Sequence, residues 1–263
     1  PSALTAGSVR VYNTAMVALL VIGDEILSGD IREENISFMI DTLKRAGHRT
    51  GEIRIIGDDV EAIATAFREL STRYEYVVSA GGVGPTHDDV TLEGAARGFG
   101  VELELHPGMA AFLAAHYGHE LTGAARRMAM LPSDSEIIPG REHRWPVIRK
   151  GNAFILPGLP VALRDKMVRV AEMIPSREEG EWVAVLYIHC DETEIAEWLL
   201  RLQEQNEGVK IGSYPVIEER GYHTRITIKG DDHRTVERTF ALARSYFQKG
   251  GWLLGANEPE MAQ

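Results

Sequence analysis

The feature that most constrains the fold is an alternation of short apolar runs and amphipathic segments early in the chain. Residues 16–22 (MVALLVI) form an uninterrupted apolar run, as expected for a strand buried on both faces. Helical spacing follows at 33–46, a second strand at 50–56, a helix for which Asp58 is a candidate N-cap, and a third strand at 76–79. This order predicts an α/β domain with a parallel sheet and helices on its faces.

The rest of the chain predicts a second, smaller domain. Helices are predicted at 107–117, 122–130 and 161–174, and strands at 146–150 and 153–156. A proline, a glycine and several charges then concentrate at 174–182, which is the candidate linker. The following strand, helix, strand, strand and helix indicate an α+β domain of the ferredoxin-like kind. The predicted domains are 15–174 and 181–250, with residues 1–14 as a flexible N-terminal arm.

Charge and composition narrow the class of partner. The 263-residue chain has a formal net charge of −11, so its overall field repels nucleic acid and anionic membranes. No apolar run approaches the roughly 20 residues that a membrane-spanning helix needs. The single cysteine, Cys190, excludes an intramolecular disulfide, fits a reducing compartment and is interpreted as a buried small apolar residue. We therefore expect a cytoplasmic protein that binds a small molecule, with no nucleic acid or membrane partner.

The stretch SAGGVGPTHDDVT combines an anion-binding pattern with an anion-repelling one. Gly81, Gly82 and Gly84 let the backbone approach a ligand closely and turn its amides toward phosphate oxygens. Asp88 and Asp89 close the same loop and repel phosphate. A divalent cation resolves this conflict, because Mg²⁺ binds through one or two carboxylates together with substrate phosphates. The loop therefore predicts a metal-bridged phosphate or pyrophosphate site.

Acidic pairs also follow the first two predicted strands, in IGDE (22–25) and IGDD (56–59). Ligands of an open parallel sheet bind beyond the carboxyl ends of its strands. A single acid at such a position is readily explained as a helix N-cap, but three pairs after three successive strands favour a shared site. The candidate metal ligands are Asp24, Glu25, Asp88 and Asp89.

Several neighbouring side chains leave alternatives open. Thr86 and Thr91 could bond phosphate or could cap the next helix. His87 could be a base or a ligand, or an exposed loop residue without a catalytic role. The glycine spacing matches neither a P-loop nor a dinucleotide-binding fingerprint.

Three segments resemble the molybdopterin-binding fold of the MoaB/Mog type, namely GDEILSGDIREEN (23–35), GGVGPTHDDVT (81–91) and LPGLP (156–160). They are most similar to the version in the N-terminal region of the competence/damage-inducible protein CinA, and a similar domain occurs in eukaryotic FAD synthases. Residues 125–140 and the small domain after residue 180 also resemble the CinA branch. The resemblance therefore covers about residues 16 to 250.

This resemblance implies a doubly wound α/β domain with a mostly parallel sheet, in which the glycine-rich loop binds a pterin phosphate or a nucleotide. The binding residues expected from it and from the loop chemistry are Gly23, Gly81, Gly82, Gly84, Pro85, Thr86, Thr91, Pro157 and Gly158. In Mog-type adenylyl-transfer proteins two acids are tied to catalysis, and Asp58 and Asp89 match them here. The CinA-type domain implies divalent-metal-dependent pyrophosphatase activity on ADP-ribose-like substrates, with Mg²⁺, Mn²⁺, Co²⁺ or Ni²⁺ as candidates. The FAD synthase version implies hydrolysis of FAD.

Three functions stay open at this point. The leading one is a metal-dependent pyrophosphatase acting on a nucleotide diphosphate, and the second is molybdopterin binding or adenylyl transfer in molybdenum cofactor biosynthesis. The third is a non-catalytic nucleotide sensor. Relatives of this type form dimers or trimers, so a homo-oligomer is expected. The sequence shows no counterpart of the C-terminal amidase domain of CinA, so deamidation of nicotinamide mononucleotide is not expected.

Overall fold

The structure, a computed structural model, describes residues 16–121, 123–139, 145–175, 181–218 and 221–261. The chain divides into two compact units, residues 1–176 and 177–263. The predicted arm at 1–14 and residues 176–180 of the predicted linker lie outside the described residues, so both stay predictions.

The first unit is built on a six-stranded sheet. Its strands are β1 (Met16–Ile22), β2 (Arg49–Ile56), β3 (Tyr76–Ala80), β6 (Glu136–Ile138), β7 (Val147–Lys150) and β8 (Ala153–Leu156), and a separate ladder pairs β4 (Leu103–Leu105) with β5 (Met130–Pro132). The order in space is β2-β1-β3-β8-β7-β6. The first four strands are parallel to one another, β7 is antiparallel to β8, and β6 is antiparallel to β7. This arrangement confirms the predicted mostly parallel sheet.

Helices cover both faces of this sheet. They are α1 (Asp24–Leu27), α2 (Asn35–Arg45), α3 (Val60–Arg73), α4 (Thr91–Phe99), α5 (Pro107–Tyr117), α6 (Gly123–Arg127) and α7 (Pro160–Met173). Leu20 of β1 belongs to one buried cluster with Phe67 of α3 and Leu113 of α5. Its neighbour Leu19 belongs to the opposite cluster with Met39 of α2. β1 is therefore buried on both faces, as its continuous apolar run predicts.

Two local predictions in this unit were wrong. The helix predicted at 122–130 ends at Arg127, because Met130–Pro132 instead pairs with β4. The N-cap of α3 is Asp59, whose carboxylate accepts a hydrogen bond from the Ala62 amide at 2.8 Å. Asp58 does not cap this helix, since its carboxylate binds a different loop.

The second unit is the predicted small α+β domain with one strand more than expected. Its elements are β9 (Trp182–Ile188), α8 (Glu192–Gln205), β10 (Val209–Glu218), β11 (Gly221–Gly230), α9 (His233–Lys249) and β12 (Leu253–Met261). The antiparallel order β10-β11-β9-β12 is that of a ferredoxin-like sheet. Leu186 of β9 packs in one buried cluster with Phe240 of α9 and Cys190. The Cys190 thiol is buried as predicted, and burial raises its pKa to about 11.

Candidate functional site

A cleft of about 950 Å³ opens at the carboxyl ends of β1, β3 and β8. The predicted site residues that line it are Glu25, Gly81, Gly82, Gly84, Pro85, Asp89, Pro157 and Gly158. The other predicted site residues are not part of its wall, namely Gly23, Asp24, Asp58, Thr86, Asp88 and Thr91. The fold therefore brings the glycine loop, part of the first acidic loop and the LPGLP turn to one cavity.

The floor of this cleft is formed by backbone in close contact. Gly81 has a φ of 110°, and its amide donates to the Leu156 carbonyl at 3.1 Å. A Cβ at Gly81 would lie 2.0 Å from the carbonyl oxygen of Ile22, and a Cβ at Gly158 would lie 3.2 Å from the Cα of Gly81. Only glycine fits Gly81, because both the left-handed backbone and the neighbouring strand exclude a side chain.

Asp89 holds the glycine loop in its shape. Its two carboxylate oxygens accept hydrogen bonds from the amides of Gly84 and Thr86 at 2.7 and 2.8 Å. The Thr86 hydroxyl donates a further bond to the same carboxylate at 2.5 Å. Asp89 thus has a structural function in the loop, while its predicted roles in metal binding and catalysis stay predictions.

Thr91 fastens the start of the loop to α4. Its side chain is fully buried and its hydroxyl donates to the Gly81 carbonyl at 2.9 Å. Its amide donates to the carbonyl of Gly82 at 3.0 Å. The predicted capping role of Thr91 is wrong, because Val90 is the N-cap of α4 and the Thr91 hydroxyl instead secures the turn at Gly81. His87 is exposed in the same loop, 3.9 Å from the Asp88 carboxylate.

Carboxylates from three loops come together beside the cleft, and we call Asp24, Glu25, Asp58 and Asp88 the acidic cluster. The Asp24 amide donates to the Asp58 carboxylate at 2.9 Å, and the Asp58 amide donates to the Asp24 carboxylate at 3.2 Å. Burial raises the pKa of Asp58, and the hydrogen bond from Asp24 opposes this shift. The negative charges of the other three cluster members raise the pKa further.

This electrostatic environment fits a cation bound together with a substrate. A positive ion would relieve the mutual repulsion that raises the pKa of Asp58. Within the described part of the chain, no three His, Cys, Asp or Glu side chains are grouped to hold a metal by themselves. Mg²⁺ commonly takes only one or two carboxylates and completes its shell with water and substrate phosphates.

Sequence reasoning missed two buried polar side chains in the wall. Asn35 is 8 % exposed and its amide nitrogen donates to the Gly158 carbonyl at 2.8 Å, while its Oδ1 has no hydrogen-bond partner. Lys166 is 5 % exposed, and its Nζ donates to the Ala162 carbonyl at 3.3 Å. Asn35 is the last residue of the segment GDEILSGDIREEN, where the sequence pattern indicates the start of a helix. Lys166 lies within an ordinary helical pattern. Only the tertiary fold places them at the cleft.

The fold and the cleft define an α/β protein of the MoaB/Mog class. The family model described as "probable molybdopterin binding domain" matches residues 18–175, and the chain belongs to this family. A second model, "FAD synthase, middle domain", matches residues 182–253 of the small unit. The resemblance to the MoaB/Mog type and to CinA-like proteins is thereby confirmed.

Individual relatives agree with this assignment. The chain is 30 % identical to a "probable FAD synthase" of Caenorhabditis elegans, over 93 % of this chain and 53 % of that protein. It is 39 % identical to a "CinA-like protein" of Citrifermentans bemidjiense, over 70 % of this chain and 47 % of that protein. The chain thus spans about half the length of these curated relatives.

A solved structure titled as the protein CinA, with unknown function, from Thermoplasma acidophilum is also similar. It has a TM-score of 0.56 and 29 % identity, and the match covers 62 % of this chain and 98 % of that one. In the described residues, no helix is both long and apolar enough to cross a membrane.

Proposed function

We propose that the first unit hydrolyses the phosphoanhydride bond of a nucleotide diphosphate such as ADP-ribose or FAD, with a divalent cation bound. The observation that carries the proposal is the meeting of the glycine floor and the acidic cluster at one edge of the sheet. A phosphoanhydride needs this combination, because the negative charge that spreads over the phosphoryl oxygens in the transition state must be stabilised.

Separate groups of residues in this chain would bind the pyrophosphate and the cation. The backbone at Gly81 and Gly82 admits the pyrophosphate closely, since no side chain intervenes. Glu25 and Asp89 line the cleft and, with Asp24 and Asp88, supply the carboxylates for the cation. A bound Mg²⁺ neutralises phosphate charge and polarises the phosphorus.

Asp58 is the candidate general base: it is not part of the cleft wall, but a Cβ at Gly82, which lines the cleft, would lie 3.2 Å from its Oδ1. Burial and its acidic neighbours raise its pKa, which makes its carboxylate a better proton acceptor at neutral pH. In the proposed step, a water oxygen attacks one phosphorus, the bridging P–O bond breaks and the water proton passes to Asp58. The products are AMP and a second monophosphate. The names "FAD synthase, middle domain" and "probable FAD synthase" support a flavin dinucleotide among the candidate substrates.

Molybdopterin binding or adenylyl transfer is the second candidate. It is favoured by the family description, "probable molybdopterin binding domain", which matches the whole unit that contains the cleft. Both candidates use the same loop for a phosphate, and they differ in whether an anhydride is broken.

A turnover screen separates the two functions. ADP-ribose and FAD are incubated with Mg²⁺, Mn²⁺, Co²⁺ or Ni²⁺, and the monophosphate products are separated by chromatography. We expect hydrolysis that a chelator abolishes and that Asp58→Asn strongly reduces. Asp59→Asn is the matched control, because Asp59 is the adjacent acid but only caps α3. Absence of turnover with all four ions, together with tight molybdopterin binding, would replace the hydrolase with the pterin-binding function.

Two further features belong to this proposal. We expect a homo-oligomer, a dimer or a trimer, and cytoplasmic action on a small molecule. Light scattering after size exclusion measures the oligomeric state, and a monomer at micromolar concentration would contradict it.

A further inference from the structure

One part of the cleft wall differs chemically from the glycine floor and the carboxylates. Met109 of α5, Met128 after α6, and Trp145 and Pro146 before β7 all line it. Met109 and Pro146 are buried behind this wall, whereas the half-buried Met128 and Trp145 offer a thioether and an indole ring to the cleft. An apolar surface makes no favourable contact with a charged pyrophosphate, so it must contact another part of the ligand.

Trp145 is held in place by two aromatic neighbours on α5. Its ring centroid lies 5.3 Å from that of Phe112 and 5.3 Å from that of His116, at interplanar angles of 66° and 60°. Both contacts are edge-to-face arrangements, which restrict the rotation of the indole. Trp145 nevertheless stays half-buried and lines the cleft, so it presents an oriented aromatic surface there.

The cleft is also larger than a pyrophosphate requires. Its volume of about 950 Å³ is in the range of pockets that enclose an entire drug-sized ligand. Planar heteroaromatic rings bind such walls well, because they stack on aromatic side chains and contact polarisable methionine sulfurs.

We infer that Trp145, with Met128, forms a subsite for the fused heteroaromatic ring of the ligand, and that Trp145 determines specificity for ring-bearing phosphates. The inference rests on the proposed function in placing the phosphate at the glycine loop, and it adds the residue that selects the ring. The shared chemistry is a fused ring carried on a phosphate ester, which is the isoalloxazine of a flavin or the purine of an adenine nucleotide.

Calorimetric titrations with FMN, AMP and ribose 5-phosphate in the presence of Mg²⁺ test this subsite. None of these probes contains a phosphoanhydride, so the result is independent of whether the protein is a hydrolase. We expect Trp145→Ala to weaken binding of FMN, AMP or both by about 5- to 150-fold, the equivalent of about 1–3 kcal/mol for one stacked base. Binding of ribose 5-phosphate should change less than about twofold, and Trp145→Phe should retain most of the affinity.

The three probes identify which ring the subsite binds, and they also show which results would contradict the inference. A selective loss for FMN assigns the subsite to a flavin, and a selective loss for AMP assigns it to adenine. An equal loss for all three probes, no loss, or no binding of FMN and AMP to the unsubstituted protein would overturn the inference. Trp182→Phe, in the second unit, is the control and should leave all three affinities unchanged.

A second measurement covers the case in which Trp145→Ala does not fold. FMN should quench part of the tryptophan emission of the unsubstituted protein, and that part should be missing in Trp145→Phe. The other three tryptophans are common to both proteins, so the difference in quenching between the two proteins reports Trp145. Equal quenching in the two proteins would contradict stacking on Trp145.

Discussion

Asp24 and Asp58 cap each other, the backbone amide of each donating a hydrogen bond to the carboxylate of the other at 2.9 and 3.2 Å. The two residues follow neighbouring parallel strands, so the exchange ties together the loops after β1 and β2. The arrangement keeps two carboxylates close in spite of their repulsion, which contributes to the raised pKa of Asp58.

Asp58→Asn should not lower stability at neutral pH. A carboxyl group whose pKa is higher in the folded than in the unfolded state stabilises the fold when protonated, and this contribution is lost as the pH rises through those values. Asparagine is neutral and keeps an oxygen for the Asp24 amide. We expect urea unfolding at pH 7 to give the variant a free energy of unfolding equal to or above that of the unsubstituted protein.

That advantage of Asp58→Asn should shrink as the pH falls through the raised folded-state pKa of Asp58, and it should be gone below 3.8, the ordinary pKa of an aspartate. A variant that is clearly less stable at pH 7 would show that the charged hydrogen bond to Asp24 outweighs the repulsion. Because the same substitution is expected to impair hydrolysis, stability and activity should change in opposite directions.

Asp89→Asn should weaken ligand binding more with Mg²⁺ than without it. Loss of one anionic ligand is expected to cost on the order of 1–3 kcal/mol, by analogy with a hydrogen bond to a charged group. Calorimetry with ADP-ribose, with and without Mg²⁺, measures the difference. Thr86→Val is the matched control, since it removes one hydrogen bond to Asp89 but leaves the carboxylate. Equal losses in both conditions would assign Asp89 to shaping the loop alone.

Gly81→Ala should destabilise the protein far more than Gly100→Ala. Both glycines have positive φ, 110° and 68°, and an alanine is strained at either position. A Cβ at Gly81 collides with the Ile22 carbonyl oxygen, whereas a Cβ at Gly100 has no described atom within 4 Å. We expect about 1 kcal/mol for Gly100→Ala and a loss at least twice as large for Gly81→Ala, from urea titrations. Equal losses would mean that the strand ends shift to admit the methyl group.

Limited proteolysis should cut the chain first between residues 175 and 181. This expectation comes from the concentration of charge and turn-forming residues there. Mass spectrometry of early products should show a stable fragment that contains the first unit. First cuts inside 16–156 would contradict the assignment of this unit as one independent domain.

The sequence predicted those features that local pattern decides. The apolar run of β1 indicated burial on both faces, as observed. The glycines after β3 were predicted to turn their amides toward a phosphate, but the amides of Gly81 and Gly84 donate to the Leu156 carbonyl and the Asp89 carboxylate. The cap of α3 was misassigned because Asp58 and Asp59 are locally equivalent. Only Asp24, 34 residues earlier in the chain, distinguishes them.

Features that depend on tertiary contacts could not be predicted from the sequence pattern. β12 contains the polar stretch GANEPE and lacks apolar alternation, yet it pairs with β9 along the sheet edge. Trp145 follows a stretch without periodicity, and its place in the cleft depends on α5 packing beside it. Asn35 and Lys166 likewise line the cleft only because α2 and α7 pack on the same face of the sheet.

The close approach of Gly81 and Gly158 also limits how this protein can diversify. A Cβ at Gly81 would collide with the Ile22 carbonyl oxygen, and a Cβ at Gly158 would press against the Cα of Gly81, so a side chain at either position requires the neighbouring backbone to shift. Substitutions are less costly at Met128 and Trp145, which are half-buried and lie on other elements, than at the buried Met109. Related chains that keep this glycine contact should therefore retain the proposed phosphate site while the group attached to the phosphate differs among them, and a redesign of selectivity should begin at those two positions.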